Sequence, residues 1–324
     1  MKFNATYGES VGYTMPLKTG KIYKITFKYG GWGNTPNTIV SLTDPSNAAI
    51  TLAPNFKPAT NDANSNAADW YDYTGYFVAT TSGDYKLYFN KVESGQQQIV
   101  IADIDLRTAE AIEFADGSVP TYAPGTYPSV KITRSMADGR WYTAIYPFAI
   151  EGIDKMAMAE LKGYNSETGA LSFKSITASV ANKPFLMRSE TAKTAIELTN
   201  VDVTAAVATD ASADGNAVMK GVYATTNINS TDESTFYVMS NNTIYPVSTD
   251  QSKAAIINPY RGYIQVTPAS SPVRGYTVDG EETAIEDIEI VQMENGSVYN
   301  LNGQRVENAQ KGLYIVNGKK VVVK

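Results

Sequence analysis

Residues 21–29, KIYKITFKY, alternate basic or polar side chains with apolar ones, and no other stretch limits the possible folds as strongly. Successive side chains of a strand point to opposite faces, so this period of two indicates a β-strand with one face on a core. Further strands are predicted at residues 38–42, 76–79, 84–90 and 98–106. Strands at this spacing, broken by Gly, Pro and Asn and with no helix between them, predict a β-sandwich.

A second β pattern runs through residues 127–278. Its clearest strands are predicted at residues 127–133, 141–148, 171–176, 183–188, 236–240 and 261–267. Residues 155–162, KMAMAELK, contain helix formers, but their alternation of Met and Ala also permits a strand, so both assignments stay open. We predict a second β-sandwich for this region.

Two stretches have the composition of linkers. Residues 109–126 contain Pro120, Pro124 and Gly125, which favour an irregular connection. Residues 279–289 contain six acidic side chains, and a charge run between folded segments is usually solvated. The predicted boundaries are therefore residues 1–108, 127–278 and 290–324, with linkers between them.

The C-terminal region contains three Asn-Gly dipeptides, beginning at Asn295, Asn302 and Asn317. Asn-Gly favours the type I′ turn of a β-hairpin, because both residues tolerate a positive φ. Apolar alternation between these dipeptides predicts strands at residues 288–293, 297–301, 312–316 and 319–323. Residues 290–324 are therefore predicted to form a small β meander.

Composition excludes several classes of function. The chain has a net charge of −6 and no basic stripe, which argues against nucleic acid as a partner. No run approaches the ~18 apolar residues of a membrane span. The chain has no Cys and no His, which excludes disulfides, thiol nucleophiles, imidazole catalysis and ordinary zinc sites. Carboxylate pairs, Lys or Tyr bases and oxygen-ligated metals remain.

Four segments of the first region resemble a known fold family. They are LKTGKIYKITF at residues 17–27, WYDYTGYFVA at 70–79, GDYKLYF at 83–89 and IVIADIDL at 99–106. Their order is similar to that in galactose-binding-like jelly rolls of the carbohydrate-binding-module kind. The resemblance implies a jelly-roll sandwich and a glycan as partner.

The same resemblance implies a possible structural Ca²⁺. Ligands in that family come from the start of the module and from its final strand, which points here to Glu9 and to Asp103 or Asp105. Asp103 and Asp105 are expected to share one face of a strand. A solvated face, or one paired with lysine, is the alternative explanation for them.

Sugar binding requires flat apolar faces together with amides or carboxylates for the hydroxyl groups. Trp32 and Asn34 lie in the glycine-rich stretch YGGWGN, which follows the best predicted strand. Trp70, Tyr71 and Asp72 follow the polar stretch NDANSNAAD at residues 61–69. We predict these five residues as the ligand-binding set, with a core position as the alternative for Trp70.

The tail also carries a resemblance. YNLNGQRV at residues 299–306 and KGLYIV at 311–316 resemble the C-terminal sorting domains of type IX secretion cargo and related tails of Bacteroidetes surface proteins. This implies recognition by secretion machinery and an extracellular or outer-membrane surface location; a plain terminal hairpin is the alternative. The chain start lacks the basic and apolar regions of a signal peptide, so we expect a leader to be missing before Met1.

The middle region adds no activity to this reading. GRWYTAIYPF at residues 139–148, ANKPFL at 181–186 and PYRGYI at 259–264 resemble uncharacterised β modules of secreted Bacteroidetes proteins. The sequence thus predicts an all-β, non-catalytic surface protein that binds glycans or acts as an adhesin. One form of this prediction is that the chain is a set of accessory modules of a larger polysaccharide-degrading protein. The alternatives are an adhesion protein with protein partners only, and a glycoside hydrolase fragment. The latter would need two facing carboxylates, and no hydrolase motif supports it.

Overall fold

The computed structural model describes residues 2–3, 10–32, 38–56, 70–91, 98–214, 217–268, 272–282, 298–299, 305–306, 312–316 and 319–323. These residues form strands and their connections, with one short 3-10 helix at Gln251–Lys253. The predicted all-β class is confirmed. In this part of the chain no helix is long and apolar enough to cross a membrane.

Strands β1 to β8 and β10 build two sheets, whereas β9 belongs to a third sheet described below. The first ten strands are β1 (Lys2–Phe3), β2 (Ser10–Leu17), β3 (Ile22–Trp32), β4 (Thr38–Thr43), β5 (Ala49–Phe56), β6 (Tyr71–Val78), β7 (Gly83–Lys91), β8 (Gln98–Ala109), β9 (Ile112–Ala115) and β10 (Thr121–Tyr122). Sheet 1 has the order β1-β8-β3-β6-β10, and sheet 2 has the order β2-β7-β4-β5. Strands β1 to β8 alternate between the two sheets except at β4 and β5, which pair within sheet 2, and together they form a sandwich, as predicted.

The first core lies between these two sheets. Alternation along β3 directs Tyr23, Ile25 and Phe27 into it, where they meet Leu42 and Leu87 from sheet 2. The polar residues between them remain on the outer face of sheet 1. The alternation at residues 21–29 therefore reflects a strand with one face on a core, as predicted.

The remaining strands of the middle region are numerous and mostly short. They are β11 (Gly125–Met136), β12 (Trp141–Ala144), β13 (Met156–Asn165), β14 (Ala170–Ile176), β15 (Phe185–Ser189), β16 (Lys193–Val203), β17 (Ala211–Asp214), β18 (Ala217–Val222), β19 (Thr226–Ile228), β20 (Thr235–Ser240), β21 (Thr243–Pro246), β22 (Ala255–Ile257), β23 (Arg261–Val266), β24 (Gly275–Val278) and β25 (Glu281–Glu282). Residues 155–162, whose assignment the sequence left open, belong to strand β13.

These strands form three stacked sheets and a two-stranded ribbon. Sheet 3 has the order β16-β11-β9, sheet 4 the order β12-β15-β13-β14-β24-β25, and sheet 5 the order β17-β18-β23-β20-β21; β19 pairs with β22. Sheet 4 lies in the middle, because Met158 packs toward sheet 3 whereas its neighbour Ala159 packs toward sheet 5. The region is a sandwich with a third layer that the sequence did not indicate.

The segment predicted as the first linker is packed rather than free. It contains β9, which pairs in parallel with β11, and β10, which pairs in parallel with β6. Ile112 and Phe114 of β9 are buried in the core that sheet 3 forms with sheet 4. These contacts replace the solvated connection that Pro120, Pro124 and Gly125 suggested; the domain boundary at residue 108 stays a prediction.

The second linker and the tail are described in part. Asp279 and Gly280 form the turn between β24 and β25, Glu281–Glu282 of the predicted acidic linker form β25 itself, and residues 283–289 lie outside the described residues. The tail strands are β26 (Val298–Tyr299), β27 (Arg305–Val306), β28 (Gly312–Val316) and β29 (Lys319–Val323), in the order β27-β26-β28-β29. They form a small sheet, as predicted, but β27 was not among the predicted strands, and β28 pairs with β26 rather than with β27, so the order is not that of a meander. The strand predicted at residues 288–293 lies outside the described residues.

Candidate functional site

The pairing of β3 with β6 determines which of the predicted binding residues come together. Lys28 lies opposite Asp72, and Tyr29 lies opposite Tyr71, at one end of sheet 1. Trp70 immediately precedes β6. The backbone of Trp32 pairs with Gln98 of β8 at the same end of β3, while its side chain, and Asn34 altogether, lie outside what the structure describes.

Tyr71 and Asp72 face opposite sides of sheet 1, as strand alternation requires. Tyr71 is half-buried at the end of the first core, where its ring stacks on that of Tyr29 with centroids 5.5 Å apart. Directly below, Phe27 stacks on Tyr73 at 4.3 Å. The Tyr29–Tyr71 pair is therefore held in place by the aromatic core beneath it.

Asp72 belongs to the outer face of sheet 1, together with Lys28. The Lys28 Nζ and Asp72 Oδ1 atoms are 3.7 Å apart, and both side chains are exposed to solvent. An exposed ion pair of this kind contributes little to stability. Its charged groups are therefore free to exchange their mutual contact for contacts with a ligand.

Trp70 has 47% of its surface exposed, so the core position considered for it is wrong. The indole ring presents a large apolar surface to solvent. Farther along the same outer face, Ile22 and Tyr76 are covered by the core of the middle region. At the other end of this face, with respect to the described residues, Lys28, Trp70 and Asp72 are exposed.

Burial raises the pKa of the Tyr29 hydroxyl, and the neighbouring Tyr71 raises it further. The hydroxyl of Tyr29 therefore stays protonated throughout the ordinary pH range. This hydroxyl lies on the core side of sheet 1, on the face opposite to the charged pair. We call the group of Lys28, Trp70 and Asp72, which lie on the outer face at this end of sheet 1, the Trp70 surface.

The predicted calcium ligands do not form a site among the described residues. Asp103 has a φ of 53° at a bulge between β8 and β3, where the register shifts by one residue. Ile101 and Leu106 both pack on the first core although they are five residues apart, so the alternation that was expected to place Asp103 and Asp105 on one face does not hold here.

Asp105 instead lies 3.6 Å from the guanidinium of Arg107, and Asp103 is exposed. The described residues contain no group of three or more acidic side chains arranged to hold a metal ion. Glu9 lies outside them. A calcium site therefore stays a prediction that depends on Glu9.

Sequence reasoning did not single out Lys28 as a member of the site, or Tyr29 as the stacking partner of Tyr71. Both lie in the strand that the alternation predicted, but their partners are more than 40 residues away in the chain, and strand register is not visible in a single sequence. The matching alternation of residues 70–79 was the available signal. It would have suggested the pairing only if β6 had been placed beside β3.

No protein-family model matches this chain, and a search of curated proteins found no significant relative. The resemblances to carbohydrate-binding modules and to sorting tails therefore stay predictions.

Proposed function

We propose that this chain is a non-catalytic glycan-binding protein and that the Trp70 surface is where it contacts sugar. The observation that carries the proposal is the exposed indole of Trp70 beside the Lys28–Asp72 pair. An indole provides the flat apolar face that stacks on a pyranose ring. The neighbouring carboxylate and ammonium groups accept and donate hydrogen bonds to sugar hydroxyls.

The Tyr29–Tyr71 stack supports a preorganised site from the core side of sheet 1. It fixes the ends of the two strands that carry Lys28 and Asp72 on the outer face, so less conformational entropy is lost when a ligand binds there. Trp32 and Asn34 are proposed as additional contacts, because β3 leads directly into them. A glycan longer than one sugar ring would reach both groups.

Three of the described aspartates have electrostatics that fit turn formation rather than acid catalysis. Hydrogen bonds from neighbouring serine and backbone groups lower the pKa values of Asp44, Asp250 and Asp279. A glycosidase acid needs a pKa shifted in the opposite direction. These three aspartates stabilise turns instead, since their side chains accept hydrogen bonds from Ser46, Ser252 and Ser175.

Export is part of the same proposal. The proposal is supported by the hairpin of β28 and β29, in which Val316 pairs with Lys319 on either side of the third Asn-Gly dipeptide. We therefore propose an extracellular or outer-membrane surface location, with the tail as the segment that the secretion machinery recognises.

The glycan proposal is tested by retention of the protein on a panel of soluble polysaccharides in affinity gel electrophoresis. Trp70→Ala should weaken binding of any retained polysaccharide about tenfold or more, because it removes the stacking surface of the indole. A tenfold change in Kd corresponds to about 1.4 kcal/mol of binding free energy. Asp72→Ala should weaken polysaccharide binding less than Trp70→Ala does, since the exposed carboxylate of Asp72 exchanges hydrogen bonds with water for hydrogen bonds with the sugar.

Tyr245→Ala is the matched control, because Tyr245 is an aromatic residue with the same exposed fraction, 47%, on a different sheet. It should leave retention unchanged. Absence of retention on every polysaccharide would overturn the proposal. Binding to a protein ligand that is lost in Trp70→Ala would instead identify an adhesive surface with protein partners.

A further inference from the structure

Strand β16 is an edge strand of eleven residues, Lys193–Val203. It pairs with β11 on one side, and among the described strands it has no neighbour on the other. An unpaired edge presents a row of backbone N–H and C=O groups that can accept another strand. Short edges, bulges or covering loops usually protect such a strand, and here the edge lies in a groove.

The groove has a volume of about 770 Å³ and is lined by residues 197–202 of β16. Successive side chains of a strand point to opposite faces. Six consecutive residues can therefore line one groove only if the groove runs along the edge of the strand rather than over a face of the sheet. Its size is within the range of peptide and small-molecule sites.

The opposite wall is a separate, well-tied segment. It consists of Ala149, Glu151, Gly152, Ile153 and Thr177. Ile150 and Ser179 exchange hydrogen bonds behind this wall, with the Ser179 backbone N donating to the Ile150 carbonyl at 2.9 Å. The wall is thus fixed independently of β16, and the groove between them does not depend on contacts across it.

The lining has a strong charge bias. It contains the carboxylates Glu151, Glu197 and Asp202 and no basic side chain, which gives a net charge of −3. Lys131 lies across from Glu197 in the neighbouring strand, but Glu113 of β9 lies across from the same lysine. Lys131 is therefore shared between two carboxylates, and the groove stays acidic.

We propose that this groove binds an extended peptide segment of a partner protein, carrying lysine or arginine, that adds to β16 as a further strand. The main chain of the peptide pairs with the regular part of the edge, where the register from Ala195 to Thr199 is unbroken. Asn200 has a φ of 53° opposite Pro128 and ends this part. Basic side chains of the peptide then reach Glu151 and Asp202 beyond it.

The test is a screen of the full chain against a bead-displayed library of random seven-residue peptides. Bound peptides should be enriched in lysine or arginine alternating with β-branched residues. The double variant Glu151→Lys/Glu197→Lys should bind the best of these at least tenfold more weakly. N-methylation of alternate backbone amides of that peptide should also weaken binding at least tenfold, because it removes donors to the strand edge.

Glu167→Lys/Glu233→Lys is the matched control, since it makes the same change of charge at exposed positions in turns outside sheet 3. It should leave peptide binding unchanged. The proposal is overturned if no peptide is enriched, if both double variants lose binding equally, or if N-methylation has no effect. Polysaccharide retention lost through Glu151→Lys/Glu197→Lys would also overturn it and identify the groove as a sugar site. This result is separate from the Trp70 experiment.

Discussion

Arg134 is buried, with 4% of its surface exposed, and it is the one charged side chain among the described residues that packing hides to this degree. Its Nη1 donates to the Thr143 carbonyl at 2.9 Å, and its guanidinium lies 5.1 Å from the centre of the Tyr142 ring. It also shares a hydrogen bond with the buried Tyr146. Burial lowers the pKa of Arg134 and raises that of Tyr146.

Removing this guanidinium should be costly, because its partners would stay buried without a donor. We expect Arg134→Ala to lower the free energy of unfolding by about 3 kcal/mol. Arg188→Ala is the comparison: Arg188 lies 4.9 Å from the Trp141 ring centre but is only half-buried. This second substitution should cost less than about 1 kcal/mol. Urea unfolding of the two variants measures both, and equal losses would contradict the role assigned to Arg134.

Residues of this kind show where sequence reasoning ends. The pattern at residues 127–133 predicted a strand correctly. Arg134 directly follows this pattern, and from the sequence alone a basic residue there is expected to be exposed to solvent. Its burial results from sheet 3 packing on sheet 4, a contact between strands distant in the chain. The same holds for the Trp70 surface: Trp70 and Asp72 were predicted as binding residues, whereas the position of Lys28 depended on strand register.

At the scale of elements, alternation of polar and apolar residues predicted strands that have one solvent-exposed face. It was less informative for strands that are buried on both faces. Strand β13 in sheet 4 is an example, because Met158 and Ala159 are both buried on opposite faces. Its first residues, MAMA at 156–159, therefore lack a polar face, and this is why a helix could not be excluded for it. Strand β16 alternates clearly but was not singled out.

The pairing of β18 with β23 depends on two facing glycines, Gly221 and Gly262. A Cβ atom at Gly262 would lie 2.7 Å from the backbone oxygen of Lys220, and one at Gly221 would lie 2.4 Å from Ile145 Cδ1. The end of β12 packs against this pair, where Gly262 N donates to Thr143 Oγ1 at 3.0 Å. The flat surface of the glycines is what allows sheet 5 to approach sheet 4.

We therefore expect Gly262→Ala to lower the free energy of unfolding by about 1–3 kcal/mol, since a backbone oxygen cannot withdraw as a side chain can. Gly275→Ala serves as the control, because a Cβ atom there would meet nothing within 4 Å. It should leave stability unchanged or raise it slightly. Thermal unfolding of both variants separates the cases, and a neutral Gly262→Ala would show that the two strands can move apart.

At the scale of the whole molecule, the first sandwich and the middle region share a core. Ile22 and Tyr76 of sheet 1 are buried together with Phe114, Tyr127 and Met158. Strand β10 extends sheet 1 from within the segment that was predicted to be a linker. The composition of residues 109–126 suggested a flexible connection because the segment contains Pro120, Pro124 and Gly125. The segment is packed instead, because Ile112 and Phe114 of β9 are buried.

Tyr127 joins the two regions by a hydrogen bond as well as by packing. Its hydroxyl lies 3.0 Å from the Tyr76 carbonyl oxygen and 2.8 Å from that of Ala123, and it is fully buried. The Ala123 backbone N also donates to the Tyr76 carbonyl at 2.9 Å. The Tyr127 hydroxyl of the middle region is therefore hydrogen-bonded to the Tyr76 carbonyl of the first sandwich, and this contact braces the first sandwich against the middle region.

Because of this bracing, Tyr127→Phe should increase amide hydrogen exchange in β6 of the first sandwich as well as in β11, and lower the unfolding free energy by about 1–2 kcal/mol. Tyr237→Phe makes the same chemical change between sheets 4 and 5, where the Tyr237 hydroxyl accepts a hydrogen bond from Val273 N at 3.0 Å. Faster exchange in this control should stay within those two sheets. If Tyr127→Phe leaves β6 protected as before, the first sandwich and the middle region are independent units that only touch.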